Sequence, residues 1–161
     1  MLPQVRLRKH RPGDMGWVVQ RHAELYWDEY GYDERFEALV AGIVAGFINA
    51  FDAKRERCWI AERNGRRLGA VFLVKKSAAQ AQLRLLIVEP AARGSGLGKR
   101  LVRACVRFAR GAGYRKLVLW TQSELAAARG IYEKAEFQLV RRQAHESFGK
   151  PLKGEYWELK L

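Results

Sequence analysis

A mixed α/β domain is predicted from three observations. Apolar residues repeat with a helical period up to Phe51 and with the two-residue period of a strand from Arg57 onward. Between Gln82 and Ala112 a short apolar run, a glycine turn and a basic amphipathic stretch follow one another, which makes a strand–turn–helix unit. No internal repeat and no Pro/Gly/Ser-rich linker divides the 161 residues, a length that suits one domain, 1–161, with a real core.

Taken in order, Val5 to Lys9 alternates apolar and charged residues as a first strand does, until Pro12-Gly13-Asp14 stops it. Asp14 reads as the N-cap of a helix over roughly Met15 to Tyr30, and Asp33, after Gly31-Tyr32, as the cap of a second helix. In that second helix Phe36, Leu39, Val40, Ile43, Val44, Phe47, Ile48 and Phe51 recur at a 3.6 period. Cys58–Glu62 and Leu68–Val74 flank Asn64-Gly65, the strongest short hairpin signal a sequence offers. Lys75 to Ala81 reads as a polar connection to the central strand, Gln82 to Val88, which ends at Glu89-Pro90. In the next helix Leu97, Leu101, Val102, Cys105, Phe108, Ala109 and Ala112 share one face, opposite Lys99, Arg100, Arg103, Arg107 and Arg110. Gly111-Ala112-Gly113 ends it. Lys116–Thr121 is a strand, Glu124–Ala135 a helix, and Phe137–Arg141 and Tyr156–Leu161 the last strands, giving the order β-α-α-β-β-β-α-β-α-β-β.

Composition narrows the class. With 48% hydrophobic residues the chain has enough apolar surface to fold. No apolar run approaches the roughly 20 residues of a membrane span. The start, MLPQVRLRKH, lacks the apolar core of a signal peptide, so a cytoplasmic location is expected. Cys58 and Cys105 fall in apolar-patterned segments and read as buried, reduced thiols; three scattered histidines make no metal cluster. The net charge of +13 raises nucleic acid as a partner, but much of the excess lies on one helix face and in turns such as Arg63 to Arg67. No helix-turn-helix and no aromatic RNA-binding strand motif accompanies it, which argues against a nucleic-acid partner.

The glycine turn is the main functional signal. Gly94, Gly96 and Gly98 let the main chain approach a ligand, and the helix behind them points amide N–H groups and a positive dipole end into the same space. Such a turn binds an anion, and a phosphate fits best. Leu101 stands where a dinucleotide fingerprint needs its third glycine, and Gly98-Lys99-Arg100 lacks the Ser or Thr of a triphosphate loop. What remains is Arg93-x-x-Gly96-x-Gly98 after Val88-Glu89-Pro90, which resembles the acetyl-CoA pyrophosphate loop of the GCN5-related N-acetyltransferases, the GNAT family. Downstream, Ala128-x-x-Ile131-Tyr132-Glu133-Lys134-Ala135-x-Phe137 resembles that family's second motif, with Leu125 in place of its usual Asn and Glu136 in place of its Gly. The element order agrees along the whole chain. The segments WTQSELAAARGIYEKAEF and HESFG are most similar to the acetyltransferase half of bacterial MarR–GNAT fusion proteins, and only that half is implied.

The resemblance implies a mixed, mostly antiparallel sheet of six to seven strands with helices on both faces, and acetyl-CoA as cofactor. It implies that Leu86, Ile87 and Val88 bond the pantetheine arm. Arg93, Gly94, Ser95, Gly96, Leu97, Gly98 and Lys99 cradle the pyrophosphate, Ala128 lies beside it, and Tyr132 protonates the departing thiolate. Direct attack by an amine is implied, so neither cysteine is needed as a nucleophile. The family's carboxylate base falls on Gln82, which cannot serve; Glu24, Tyr26, Glu89 and water remain as alternatives. Arg84 is placed on one strand face with Gln82, Leu86 and Val88, where it binds an acceptor carboxylate or forms a structural ion pair. Trp120 and Thr121 end the strand opposite. His22, Tyr26 and Tyr30, at i, i+4 and i+8, read either as an acceptor wall or as a packing seam, and His145-x-Ser147-Phe148-Gly149 as a loop near the same pocket. The expected acceptor is a small amine with a carboxylate, a protein lysine or terminus being second; a non-catalytic acetyl-CoA-binding module and a basic nucleic-acid-binding module are the alternative classes, and a homodimer is compatible with all of this.

Overall fold

A computed structural model describes residues 4–161; Met1 to Pro3, part of the N-terminal segment read for a leader, lie outside the described residues. The elements are β1 (Arg6–Lys9), α1 (Asp14–Tyr30), α2 (Glu34–Asn49), β2 (Arg57–Arg63), β3 (Arg66–Lys75), β4 (Gln80–Val88), α3 (Leu97–Gly111), β5 (Lys116–Gln122), α4 (Ala126–Lys134), β6 (Gln138–His145) and β7 (Leu152–Lys160), with a 3₁₀ turn at Pro90–Ala92. The strands form one sheet in the order β1-β2-β3-β4-β5-β7-β6, antiparallel except where β4 meets β5. The expected element order and the mostly antiparallel sheet are both present.

Alternation along the strands divides the core in two. Trp59, Ala61, Val71, Leu73 and Leu83 pack under α3 and α4, with Leu101, Val102, Cys105 and Tyr132. Cys58, Ile60, Ala70 and Phe72, from the same strands, pack under α1 and α2, with Val18, Leu25, Val40 and Phe47. Cys58 and Cys105 are buried and unbonded, and burial pushes both thiols up, as inert interior cysteines require. The basic face of α3 is solvated, with Arg103, Arg107 and Arg110 exposed.

Local rules hold where the cause is local. Asn64 and Gly65 take φ of 52° and 74°, the left-handed pair that a two-residue hairpin turn needs. Asp33 caps α2, accepting the Arg35 N–H at 3.0 Å. Asp14 departs from its expected role. It lies inside α1, and it makes no capping bond to α1. Its fully buried carboxylate instead accepts from Arg8 at 2.8 and 3.0 Å, from Arg67 at 2.8 Å and from the Arg11 N–H at 2.7 Å. Burial alone would raise its pKa, but these donors outweigh burial and lower it to about 2. Asp14 thereby fastens the start of α1 to β1 and β3.

Several boundaries also shift. β4 starts at Gln80, because the Lys76 and Ser77 N–H groups close a tight turn on the Gln80 carbonyl. β6 runs on to His145 and β7 starts at Leu152, beyond the expected Arg141 and Tyr156 limits. As a sheet edge β6 buries little of either side, so its polar sequence carries no alternation. Glu136, in the usual glycine position, adopts φ 72° and accepts the strain that glycine would avoid.

Two irregularities open the centre of the sheet. β4 and β5 pair only at Gln80–Lys116, Ala81–Leu117 and Gln82–Val118, after which the strands part. Inside β4 the register against β3 slips, so that Phe72 faces Arg84 while Ala70 faces Ile87, and Leu85 takes φ 55° to absorb the extra residue.

Candidate active site

The parted strands form a cleft with two lobes. The larger, about 820 Å³, is lined by Leu86 to Val88, by Arg93 to Lys99, and by Tyr26, Glu29, Tyr30, Leu125 and Ala128. The smaller, about 190 Å³, is lined by His22, Tyr26, Tyr32, Phe36 and Leu39 on one wall, and by Gln82 to Leu86, Trp120, Thr121 and Tyr132 on the other. Tyr26, Leu86, Leu125 and Ala128 border both, so the lobes meet there.

The larger lobe is a main-chain site. Gly94 and Gly96 take φ of 78° and 83°, and Ser95 Oγ donates to the Ala92 carbonyl at 2.6 Å, which folds the turn back on itself. The first bond of α3 joins the Arg100 N–H to the Gly96 carbonyl, leaving the Leu97, Gly98 and Lys99 amides without an intrahelical partner. Among the described residues the Gly94, Ser95 and Gly96 amides also lack a backbone partner. Six consecutive donors at a helix N-terminus fit a diphosphate. Arg93 lines the same lobe, with its own N–H committed to Pro90 O at 3.2 Å and its guanidinium gripping Glu29 at 2.5 and 2.7 Å. A Cβ on Gly98 would stand 2.7 Å from Ile131 Cδ1, so this glycine also lets α4 close on α3. Tyr30 walls this lobe and is not among the residues lining the smaller one.

The smaller lobe is built from side chains. Tyr26 stacks on Phe36 at 4.6 Å and on His22 at 5.7 Å; Phe148 braces Tyr32, Phe36 and Trp120 from behind, with ring centroids at 5.1, 5.0 and 6.3 Å. Gly154 leaves room for Trp120, whose Nε1 would lie 2.7 Å from an added Cβ. His145 lies behind this wall, its Nε2–H donating to Gln122 Oε1 at 2.7 Å. Arg84 is half-buried and has no carboxylate partner among the described residues, so burial lowers its pKa without the opposing pull of an ion pair. It does not share a face with Leu86 and Val88. The slip at Leu85 turns Gln82 and Arg84 toward α1 and α2, and Leu86 and Val88 toward α3. No local signal in the sequence announces that reversal.

Tyr132, 4% exposed, rests on Phe137 and Trp157 with centroids at 5.8 and 6.3 Å. Burial, with Tyr26 nearby, pushes its pKa well above the usual 10, so the phenol stays protonated and able to give a proton. α4, which carries it, is held by the buried Glu155, bonded by Arg129 at 2.8 Å, Arg142 at 2.9 Å and Trp157 Nε1 at 3.2 Å. The base candidates fare differently. Glu24 is exposed, and Glu89 is held by Arg21 at 2.6 and 2.8 Å; neither lines a lobe. Tyr26 borders both lobes, but burial holds its phenol protonated. Tyr32, Phe36, Leu39 and Glu29 were not singled out as site residues in the sequence, because only tertiary packing brings them to the cleft.

Residues 19–137 match the model of the acetyltransferase (GNAT) family, and the chain belongs to that family. It is 35% identical over 107 residues to N-acetyltransferase family 8 member 2 of Rattus norvegicus, covering 63% of this chain and 46% of that protein. It is 32% identical over 88 residues to mycothiol acetyltransferase of Beutenbergia cavernae, covering 55% of this chain and 29% of that protein. The chain thus spans less than half the length of these curated relatives. Among solved structures it resembles a Salmonella typhimurium acetyltransferase determined with its cofactor acetyl-CoA, at TM-score 0.74 and 20% identity over 98% of this chain and 94% of that one. It also resembles a ribosomal-protein-alanine N-acetyltransferase of Brucella melitensis, at TM-score 0.78 and 16% identity over 97% and 99%. These two likenesses establish the fold. Acetyl-CoA is the cofactor of the family, and the amide cradle fits its diphosphate. Among the described residues, no helix is long and apolar enough to cross a membrane and no cluster suits a metal ion.

Proposed function

We propose that the chain is a cytoplasmic N-acetyltransferase acting on a small primary amine that also carries a carboxylate. The observation behind this reading is Arg84, a half-buried guanidinium without a carboxylate partner, beside a lobe that opens onto the cofactor cradle. When bound, acetyl-CoA supplies an acetyl thioester for direct attack by the amine. The Gly94 to Lys99 amides hold the diphosphate, and the unpaired edge of β4 from Leu86 to Val88 aligns the pantetheine arm as an added strand. Arg84 receives the acceptor carboxylate and so brings the amine toward Tyr26, Leu86, Leu125 and Ala128, where the lobes join. Tyr132 donates its phenolic proton to the leaving sulfur. With Glu24 and Glu89 outside the cleft, water carries away the amine proton. The WTQSELAAARGIYEKAEF and HESFG segments support kinship with the catalytic half of MarR–GNAT fusions.

The test is CoA release with a panel of amines, amino acids and peptides. Arg84→Gln is expected to raise KM at least tenfold for carboxylate-bearing acceptors, in line with about 1.5–3 kcal/mol for a charged hydrogen bond, and to spare simple amines. Preference for a protein lysine or N-terminus would move the assignment to the second acceptor class. Absence of CoA release with every amine would remove it.

A further inference from the structure

His22, midway along α1, is 1% exposed, and its Nδ1 lies 2.8 Å from the Val18 carbonyl. A carbonyl only accepts, so the ring proton sits on Nδ1 and Nε2 presents a bare lone pair. Among the described residues that atom has no hydrogen-bond partner, and neither does the hydroxyl of Tyr32, which is 2% exposed. Glu124 lies near enough to help burial raise the Tyr32 pKa, yet it does not meet bonding geometry with that hydroxyl. A buried polar atom left unsatisfied costs about 1–3 kcal/mol, and both of these belong to residues that line the smaller lobe.

Both residues line the 190 Å³ lobe, together with the rings of Tyr26, Phe36 and Trp120. A dry cavity of about 150 Å³ accommodates benzene, so this lobe has room for a single aromatic ring, and ring walls favour stacked or edge-on partners. Arg84, on the β4 side of the lobe, fixes the carboxylate end; the wall formed by α1, α2 and Tyr32 is left for the rest of the acceptor.

Building on the acetyl-transfer reading, we propose that the acceptor is an aromatic α-amino acid whose ring bears an O–H or N–H donated to His22 Nε2; a phenol oxygen can in addition accept from the Tyr32 hydroxyl, which an indole N–H cannot. Phenylalanine fits the same walls and leaves both atoms unpaired. A site built to bond a donor discriminates strongly against the analogue that lacks it.

The experiment compares CoA release with tyrosine, tryptophan and phenylalanine. For the wild-type protein, kcat/KM is expected to be at least tenfold higher for tyrosine or tryptophan than for phenylalanine. In His22→Phe that ratio is expected to shrink severalfold for tyrosine and for tryptophan, and in Tyr32→Phe for tyrosine, with the loss falling mainly on the donor-bearing acceptors. Equal wild-type rates for the three amino acids, or a ratio that neither variant moves, would overturn the proposal; the wild-type comparison stands even if a variant misfolds. Faster acetylation of aliphatic amino acids than of any aromatic one defeats this inference and leaves the acetyl-transfer reading intact. No CoA release with any amine defeats both.

Discussion

The two lobes of the cleft differ in what they are made of. The cofactor lobe draws its polar contacts from consecutive main-chain amides in one stretch, Gly94 to Lys99, whereas the acceptor lobe collects side chains from α1, α2, β4, β5 and α4. A main-chain site needs glycines at fixed spacing and tolerates most side chains around them. A side-chain site needs particular residues from remote segments and changes with any of them. On the proposed reading the diphosphate is held by main chain that many sequences could supply, while the acceptor is selected by this chain's own packing.

That contrast can be broken first at Tyr132, which lines the smaller lobe and is proposed above as the proton donor. Tyr132→Phe is expected to lower kcat by about 10² to 10⁴ while the affinity for acetyl-CoA, read by calorimetry, stays within about twofold. A parallel loss of affinity would make Tyr132 a cofactor contact and not a proton donor.

The acceptor lobe is also expected to carry an acid sensitivity that the cradle lacks. Burial lowers the His22 pKa from 6.5 to about 4, against a smaller opposing pull from the Val18 carbonyl. The unfolded chain therefore binds the proton first as the pH falls, and stability is lost between about pH 6.5 and pH 4, by about 3 kcal/mol at the lower end. Asp14 acts in a lower window: its contribution is present above the ordinary carboxylate value of 3.8 and disappears as the pH falls through about 2. Urea unfolding at pH 7 and pH 4.5 measures the difference. His22→Phe is expected to reduce it, although not to zero, because burial shifts His10 in the same direction. An unreduced pH effect in the variant would mean that His22 titrates normally.

The smallest effect sharpens the other side of the comparison. Gly96 has open space around it, so only its φ of 83° resists a side chain. Gly96→Ala is expected to weaken CoA binding about tenfold, in line with 1–2 kcal/mol for a left-handed alanine. Lys99→Ala, which leaves every amide in place, is expected to weaken it less. The reverse order, read by calorimetry, would make the cradle a side-chain site after all.

The same division explains what could be read in the sequence. The strand and helix order, the Asn64-Gly65 turn, the Asp33 cap and the glycine turn at the start of α3 each depend on neighbours a few residues away, and all are legible. Asp14 has an equally good capping position, yet its partner Arg67 lies 53 residues on, and the buried ion pairs prevail over a local cap. The far end of β6 carries no alternation because β6 is a sheet edge, and the start of β7, Leu152 to Glu155, lies between β5 and β6 yet has only one apolar side chain to signal it. Glu29 and Phe36 join the cleft only through tertiary packing, and the left-handed twist at Leu85, which sends Arg84 to the other side of the sheet, sits on a residue type that gives no warning of it.

The twist at Leu85 also has an evolutionary consequence. An ordinary strand offers a cavity every second residue, so a new specificity must be assembled two positions at a time. Here five successive residues, Gln82 to Leu86, border the acceptor lobe, and the backbone that displays them is anchored through β3 on one edge only along its splayed half. On the proposed reading, single substitutions at 84 or 85 would change which acceptor fits while the glycine turn and the hydrophobic interior stay as they are, a route by which one scaffold diversifies in small steps.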